Sequence, residues 1–160
     1  VLPINAYGMS KALSEIYIKN TIQDYKIFRW GNILGSRGSV IQYFVDCIKN
    51  KRSIPITDDR MTRFWIRIED AVSFVLDNVL LDPLSGTFIA PCKASKVTRL
   101  VQSLGRNLNL DPLTHSVGIR PGEKLHELLK SDHDECIRSD TSAQYTDDEL
   151  DELTKPFCER

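Results

Sequence analysis

The stretch Asn5-Ala6-Tyr7-Gly8-Met9-Ser10-Lys11 places a tyrosine and a lysine four residues apart in a helix-compatible segment. On a helix that spacing puts both side chains on one face, about one turn from each other. A phenol is a poor base at neutral pH, its free pKa being roughly 10. An ammonium one turn away favours the phenolate and brings the group toward general-base strength. Such a pair can take a proton from a hydroxyl while a hydride leaves the same carbon. The spacing alone also describes a half-buried tyrosine beside a solvated lysine, so its weight depends on the rest of the chain.

Three later segments supply that weight. They are Arg29-Trp30-Gly31-Asn32-Ile33-Leu34-Gly35-Ser36-Arg37-Gly38-Ser39-Val40, then Pro55-Ile56-Thr57-Asp58-Asp59-Arg60-Met61-Thr62-Arg63-Phe64-Trp65, then Gly118-Ile119-Arg120-Pro121-Gly122-Glu123-Lys124-Leu125-His126-Glu127. The first is glycine-rich after an apolar run. The other two carry arginines, whose planar guanidinium groups match phosphate geometry.

The 160 residues suffice for one domain with a sizeable core, and 41% hydrophobic with 27% charged residues is ordinary for a globular protein. The net charge of −1 has no long block of one sign, which argues against a nucleic-acid or anionic-membrane footprint. No apolar run reaches the roughly 18 residues of a membrane span, since Ser73, Asp77 and Asn78 interrupt the run Ala71 to Leu81. No signal peptide is recognised. The chain opens Val-Leu-Pro without an initiating methionine, which is the expectation for part of a longer protein. Cys47, Cys92, Cys136 and Cys158 are scattered and form no Cys-x-x-Cys, so free thiols in a reducing, cytoplasmic setting are expected. His133-Asp134-Glu135-Cys136 has metal-ligand composition, but neighbouring residues rarely converge on one ion and no second cluster completes a site. No metal is expected.

Helix and strand patterns alternate along the chain. Asn5 to Asn20 predicts a helix capped by Asn5, with Met9, Ala12, Leu13 and Ile16 at helical spacing. Lys26 to Trp30 suits a buried strand and Gly31 to Ser39 a loop. Val40, Ile41, Phe44, Val45 and Ile48 mark one helix face, ending at Asn50 to Arg52. Ile54 to Thr57 predicts a short strand. Ile66 to Asp70 leads into a helix with Val72, Val75, Leu76, Val79 and Leu80 on its apolar face and Pro83 closing it. Thr87 to Ala90 predicts a strand, Val97 to about Gly105 a helix, and His115 to Ile119 a strand. Pro121 to Lys130 is expected as a final core helix carrying a packed or hydrogen-bonded His126. Residues 1–130 are expected to form the main body. The polar, acidic tail 131–160 is expected to be a small surface helix or disordered, with a capping box at Thr146 to Glu149. Trp30, Phe64 and Trp65 are expected in the core, and Arg60 and Arg67 in structural or surface contacts. The alternation predicts an α/β fold.

With these segments in view, the chain resembles the extended short-chain dehydrogenase/reductase superfamily. Within it, the chain is most similar to the inverting UDP-N-acetylglucosamine 4,6-dehydratases. Pro3-Ile4-Asn5-x-Tyr7-Gly8-x-Ser10-Lys11, Gly31-Asn32-x-x-Gly35-Ser36-Arg37-Gly38-Ser39-Val40 and Ile56-Thr57-Asp58-x-x-Met61-Thr62-Arg63-Phe64 occur in the family's order, and the similarity runs from Pro3 to about Glu127. The resemblance implies the C-terminal part of a Rossmann-type fold, its last parallel strands and helices, plus the small substrate-binding lobe. It implies Tyr7 as catalytic base, with Lys11 as its partner and as a ligand of the nicotinamide ribose. It implies Trp30, Gly31 and Asn32 beside the nicotinamide, with Asn32 also near the substrate diphosphate, at the carboxyl end of a strand. Arg37, Arg63 and Arg120 would meet the phosphates, Thr57 the uridine and Glu123 the ribose hydroxyls.

NADP is the implied cofactor, with NAD possible, and a UDP-sugar the implied substrate. A homo-oligomer is implied as well. The family's Gly-x-x-Gly-x-x-Gly dinucleotide loop is absent, and Gly35 to Gly38 follows the Tyr/Lys pair and cannot replace it. By resemblance that loop, and an acid and a lysine used in water elimination, lie before Val1. The chain by itself is therefore expected to be inactive. A 4-epimerase or another sugar-nucleotide dehydratase shares the same opening oxidation, and a non-catalytic binding or packing module is the alternative of another class.

Overall fold

Asn5 starts the first element, as expected. In this computed structural model, which describes residues 3–80, 85–132 and 136–159, its side chain accepts the Gly8 N–H at 2.8 Å and caps α1 (Ala6–Thr21). The expected Pro83 stop and most of the His133–Cys136 cluster lie outside the described residues. β1 (Lys26–Arg29) follows α1 and pairs in parallel with β5 (Gly86–Ile89), with Lys26 opposite Gly86 and Arg29 opposite Ile89. Between them come β2 (Asn32–Ile33), α2 (Val40–Lys49), β3 (Ile54–Ile56), β4 (Thr62–Ile66) and α3 (Ile68–Leu80). After β5 come β6 (Lys93–Lys96), α4 (Val97–Leu108), β7 (Thr114–Ser116), β8 (Leu128–Lys130), β9 (Cys136–Arg138) and α5 (Asp147–Cys158). β4 is the centre of a small mixed sheet, parallel to β2 and antiparallel to β6; β3 pairs in parallel with β7, and β8 with β9 as an antiparallel ribbon. The α/β class is as the alternation predicted.

The main core lies where α2, α4 and α5 meet β3 and β4. Ile41, Phe44 and Ile48 of α2 pack there with Ile54, Trp65, Leu100, Leu104 and Leu150. Burying apolar side chains of this size supplies the cohesion of the lobe. Polar atoms inside it are satisfied: Ser103 and Thr154 pair their hydroxyls at 2.7 Å, and the Trp65 indole N–H donates to Ser95 Oγ at 2.9 Å. A smaller cluster joins Ile66, Ala71 and Ala90, with the half-buried Trp30 against it.

Four expectations are corrected. First, residues 121–130 are not a helix. Gly122 takes φ +85° in a turn closed by Glu123 N–H to Arg120 C=O at 3.0 Å, and Leu128–Lys130 pairs with β9. The carbonyls a helix would use inwardly are engaged elsewhere: Leu125 C=O accepts from Thr62 N–H at 3.1 Å, and Lys124 C=O from Arg63 at 2.8 Å. His126 is therefore on a loop, hydrogen-bonded through Nδ1 to Thr62 Oγ1 at 2.8 Å.

Second, α4 passes through Gly105 and ends at Asn109, which takes φ +53°. Gly105 serves packing, since a Cβ there would lie 2.5 Å from the Pro112 ring. Third, β4 and β6 are strands that the pattern did not announce. Thr62, Phe64, Trp65 and Ile66 are all buried, so no alternation shows, and β6 hides Ala94 and Ser95 between two lysines. Fourth, the helix of the tail is not on the surface. α5 has the expected capping box at Thr146 and Glu149, yet it buries Leu150, Leu153 and Thr154 against α4.

The apolar residues of α1 and α3 behave differently from the pattern's promise. α1 buries no residue, and α3 buries Ala71 alone among its residues. Among the described residues no helix is long and apolar enough to cross a membrane.

Candidate active site

A cleft of about 710 Å³ opens between α1 and the segment 122–129, with the end of β1 as its floor. Tyr7, Lys11 and Glu15 form the α1 wall, one helical turn apart. Phe28, Arg29 and Trp30 form the floor, and Arg63, Glu123 and Glu127 belong to the far wall. The Asn5 cap joins the two walls at one end, because its amide also donates to Gly122 C=O at 3.0 Å.

Tyr7 is 73% exposed, and the Lys11 Nζ lies 5.4 Å from the centre of its ring. That is within the range of a cation–π contact. The phenol and the ammonium therefore stand together at the mouth of the cleft.

The far wall is fixed by a half-buried ionic group. The Arg63 guanidinium donates to the carbonyls of Thr62 and Lys124 at 2.8 Å each and of Leu125 at 3.3 Å. Its Nε lies 3.7 Å from Glu127 Oε1. The Glu127 carboxylate also accepts from Phe64 N–H at 3.1 Å and from the Asn32 amide at 3.3 Å. Burial pulls Arg63 below its ordinary range, against the attraction of Glu127 and Glu123. Burial likewise pushes Glu127 up, against its bonds to Phe64 N–H, Arg63 and Asn32. Both shifts have the sign expected where desolvation outweighs mutual attraction.

The sequence-predicted residues are divided by this geometry. Tyr7, Lys11, Trp30, Arg63 and Glu123 line the cleft. Asn32 sits just behind it, donating to Phe64 C=O at 3.2 Å and to Glu127. Gly31, between β1 and β2, lets the chain pass close against Phe64 of β4: a Cβ there would lie 2.2 Å from Phe64 Cβ and 2.5 Å from its carbonyl oxygen. Arg37, Thr57 and Arg120 are outside the cleft lining. Arg37 and Arg120 are exposed, and the Arg120 N–H donates to Glu123 Oε2 at 3.2 Å.

Sequence reasoning missed Glu15, Arg29 and Glu127 as parts of the site. Glu15 carried a signal, being four residues after Lys11 and eight after Tyr7 on the same helix face. Glu127 was hidden by the expected helix over 121–130. Among the described residues no cluster of His, Cys, Asp or Glu has the makings of a metal site.

Residues 1–148 match the family described as polysaccharide biosynthesis protein. The chain belongs to that family. The chain is 40% identical over 141 residues to a UDP-N-acetylglucosamine 4,6-dehydratase (inverting) of Campylobacter jejuni, covering 82% of the chain and 41% of that relative. It is 34% identical over 152 residues to a UDP-glucose 4-epimerase of Rickettsia bellii, covering 91% of the chain and 45% of that relative. The chain thus spans less than half the length of these curated relatives. Its fold matches the UDP-glucuronic acid 4-epimerase of Bacillus cereus, solved with UDP-glucuronic acid and NAD, with a TM-score of 0.73 at 16% identity, over 99% of the chain and 54% of that structure.

Proposed function

We propose that the protein to which these residues belong is a UDP-N-acetylglucosamine 4,6-dehydratase that inverts carbon 5, serving surface-polysaccharide synthesis in the cytoplasm as a homo-oligomer. The observation that carries this reading is the shared cleft. Tyr7 and Lys11 on one wall face Arg63, Glu123 and Glu127 on the other, in a chain 40% identical to an inverting dehydratase.

In this reading the Tyr7 Oη takes the proton of the carbon-4 hydroxyl. The Lys11 ammonium, lying against the ring, favours the negative charge developing on that oxygen. The residues present fit one end of a nicotinamide dinucleotide, because Lys11 and the flat apolar surfaces of Phe28 and Trp30 line the same volume. Lys11 would hold its ribose hydroxyls, and Trp30, Gly31 and Asn32 would border its ring. The chemistry such a group would supply when bound is acceptance of a hydride from carbon 4 and, once water has been lost from carbons 5 and 6, its return to carbon 6 as a proton is added at carbon 5. NADP is the expected dinucleotide, and NAD the alternative that the same assay separates.

Glu123 would accept from ribose hydroxyls of the substrate. Arg63 contributes positive potential to that wall rather than a free fork, since carbonyls already occupy its terminal nitrogens. Arg37 and Arg120 are assigned to the diphosphate and Thr57 to the uridine, reached by a ligand that extends past the cleft rim.

The test is to give the full gene product UDP-N-acetylglucosamine with NADP or NAD and to identify the product by NMR. A 4-keto-6-deoxy sugar with carbon 5 inverted is the expected outcome, and Tyr7→Phe should lower kcat about 10²- to 10⁴-fold. A 4-epimer would instead support the second reading, which the Rickettsia bellii relative favours. Sugar-nucleotide binding without either product would overturn both in favour of a non-catalytic binding module.

A further inference from the structure

α1 buries no side chain, yet it carries the Tyr7 and Lys11 face of the cleft. Something other than apolar packing must fix its distance from the opposite wall. Asn5 bonds Gly122 at one end of the cleft, and a guanidinium spans its floor. Arg29, the last residue of β1, lies on the cleft floor. Its Nε donates to Glu15 Oε1 at 3.0 Å and its NH2 to Glu15 Oε2, forming a bidentate pair with α1. Its NH1 donates to the carbonyl of Lys130, in β8 at the end of the far wall. One side chain therefore grips both walls at once.

The pair is well shielded, with the Arg29 and Glu15 side chains 16% and 25% exposed. Its bond to Glu15 is the first cause holding the Arg29 guanidinium above its ordinary range. A planar fork can serve acceptors on two sides in this way, whereas a lysine ammonium is a point charge on a flexible stem. Lys19, one turn beyond Glu15, reaches Asp132, which also accepts from Thr87 Oγ1 at 2.8 Å. That second link steadies the far end of α1 without touching the cleft.

We propose that Arg29 and Glu15 form a brace that sets the width of the cleft and so positions Tyr7 and Lys11 over the bound sugar. Neither residue reacts; both act through the placement of α1 against β1 and β8. The consequence for turnover rests on the dehydratase reading, but the brace itself does not. A reacting group displaced by about 1 Å can lose on the order of 10²-fold in rate, so the brace should govern kcat more than substrate affinity.

The experiment uses the full gene product and the variants Arg29→Met, Arg29→Lys, Glu15→Ala and Glu15→Gln. Amide hydrogen exchange is read peptide by peptide, and kcat and KM are measured with UDP-N-acetylglucosamine. Arg29→Met should speed exchange in α1 and β8 about tenfold, as expected when a charge-assisted pair is lost, with α4 and α5 unchanged. Its kcat should fall about 10²-fold with KM within about threefold. Arg29→Lys should not restore both links. Glu15→Gln keeps one acceptor oxygen and should recover most of what Glu15→Ala loses.

Unchanged exchange in α1 and β8 would overturn the brace, and so would faster exchange spread equally over α4 and α5. Turnover lost on Tyr7→Phe but intact in Arg29→Met would overturn its positioning role while leaving the dehydratase reading in place. If the parent forms no product at all, the dehydratase reading fails, and the exchange result alone decides the brace.

Discussion

Leu104 and Leu150, on α4 and α5, are fully buried, whereas Leu13 and Ile16, on α1, are 66% and 55% exposed. All four have the helical spacing of a core-facing stripe. The α2–α4–α5 region is held by interlocked apolar side chains around Trp65, and its few buried hydroxyls are paired. The α1 region is attached to the rest through polar links at Asn5, Glu15 and Lys19. The dense region sets stability, and the polar one sets geometry at the cleft. Polar links are directional, so they can fix a distance that apolar contact would leave adjustable.

This contrast can be broken most sharply at Tyr7. Tyr7→Phe should cost about 10²- to 10⁴-fold in kcat and leave the urea midpoint unchanged, because the hydroxyl is exposed and buries nothing. A large shift in midpoint would show that α1 contributes to stability after all. Next comes a matched pair of deletions. Leu104→Ala should cost about 2–5 kcal/mol in denaturant titration, from lost burial and a residual cavity. Leu13→Ala, with the same chemistry on the exposed helix, should stay within about 0.5 kcal/mol. Equal costs would erase the distinction between the two regions.

A smaller effect is expected at the cap of α5. Thr146 accepts the Glu149 N–H at 3.2 Å while the Glu149 carboxylate accepts the Thr146 N–H at 2.9 Å. Thr146→Ala should therefore cost about 1 kcal/mol. The smallest expected signal is a pH slope from Glu127. Its carboxyl is raised in the folded state by burial, so the folded protein holds more protons than the unfolded chain between the ordinary glutamate range and that raised value. Stability should fall as pH rises through this window, and the loss should be complete above the folded value. Glu127→Gln should remove that slope from urea midpoints measured across the acid range. A slope that persists in the variant would assign it to other carboxylates.

Much of this was legible from local chemistry. The Asn5 cap, the α2 stripe from Ile41 to Ile48 and the capping box at Thr146 each depend on a few neighbouring residues, and each formed where expected, whereas the loop expected over 31–39 gives up Asn32–Ile33 to β2, which needs β4 to pair with. The Tyr7–Lys11 pairing was legible for the same reason, since one helical turn determines it. The strand β4 was not, because a strand buried on both faces shows no alternation. The segment 121–130 misled for a related reason. Its leucines and charges suit a helix, but the carbonyls of Lys124 and Leu125 are claimed by Arg63 and Thr62, sixty-odd residues away in sequence.

By itself, the sequence determined the α/β alternation, the face that Tyr7 and Lys11 share, and the family to which these motifs belong. Those properties follow from spacing within a turn or a strand, which backbone geometry fixes without reference to distant residues. Only the tertiary structure decided that Arg63 and Glu127 lock the far wall, that α5 belongs to the core, and that Arg29 grips both sides of the cleft. Each of these joins residues far apart in the chain. A guanidinium or carboxylate has many possible partners until folding, by removing water, leaves it with the few that can satisfy its charge.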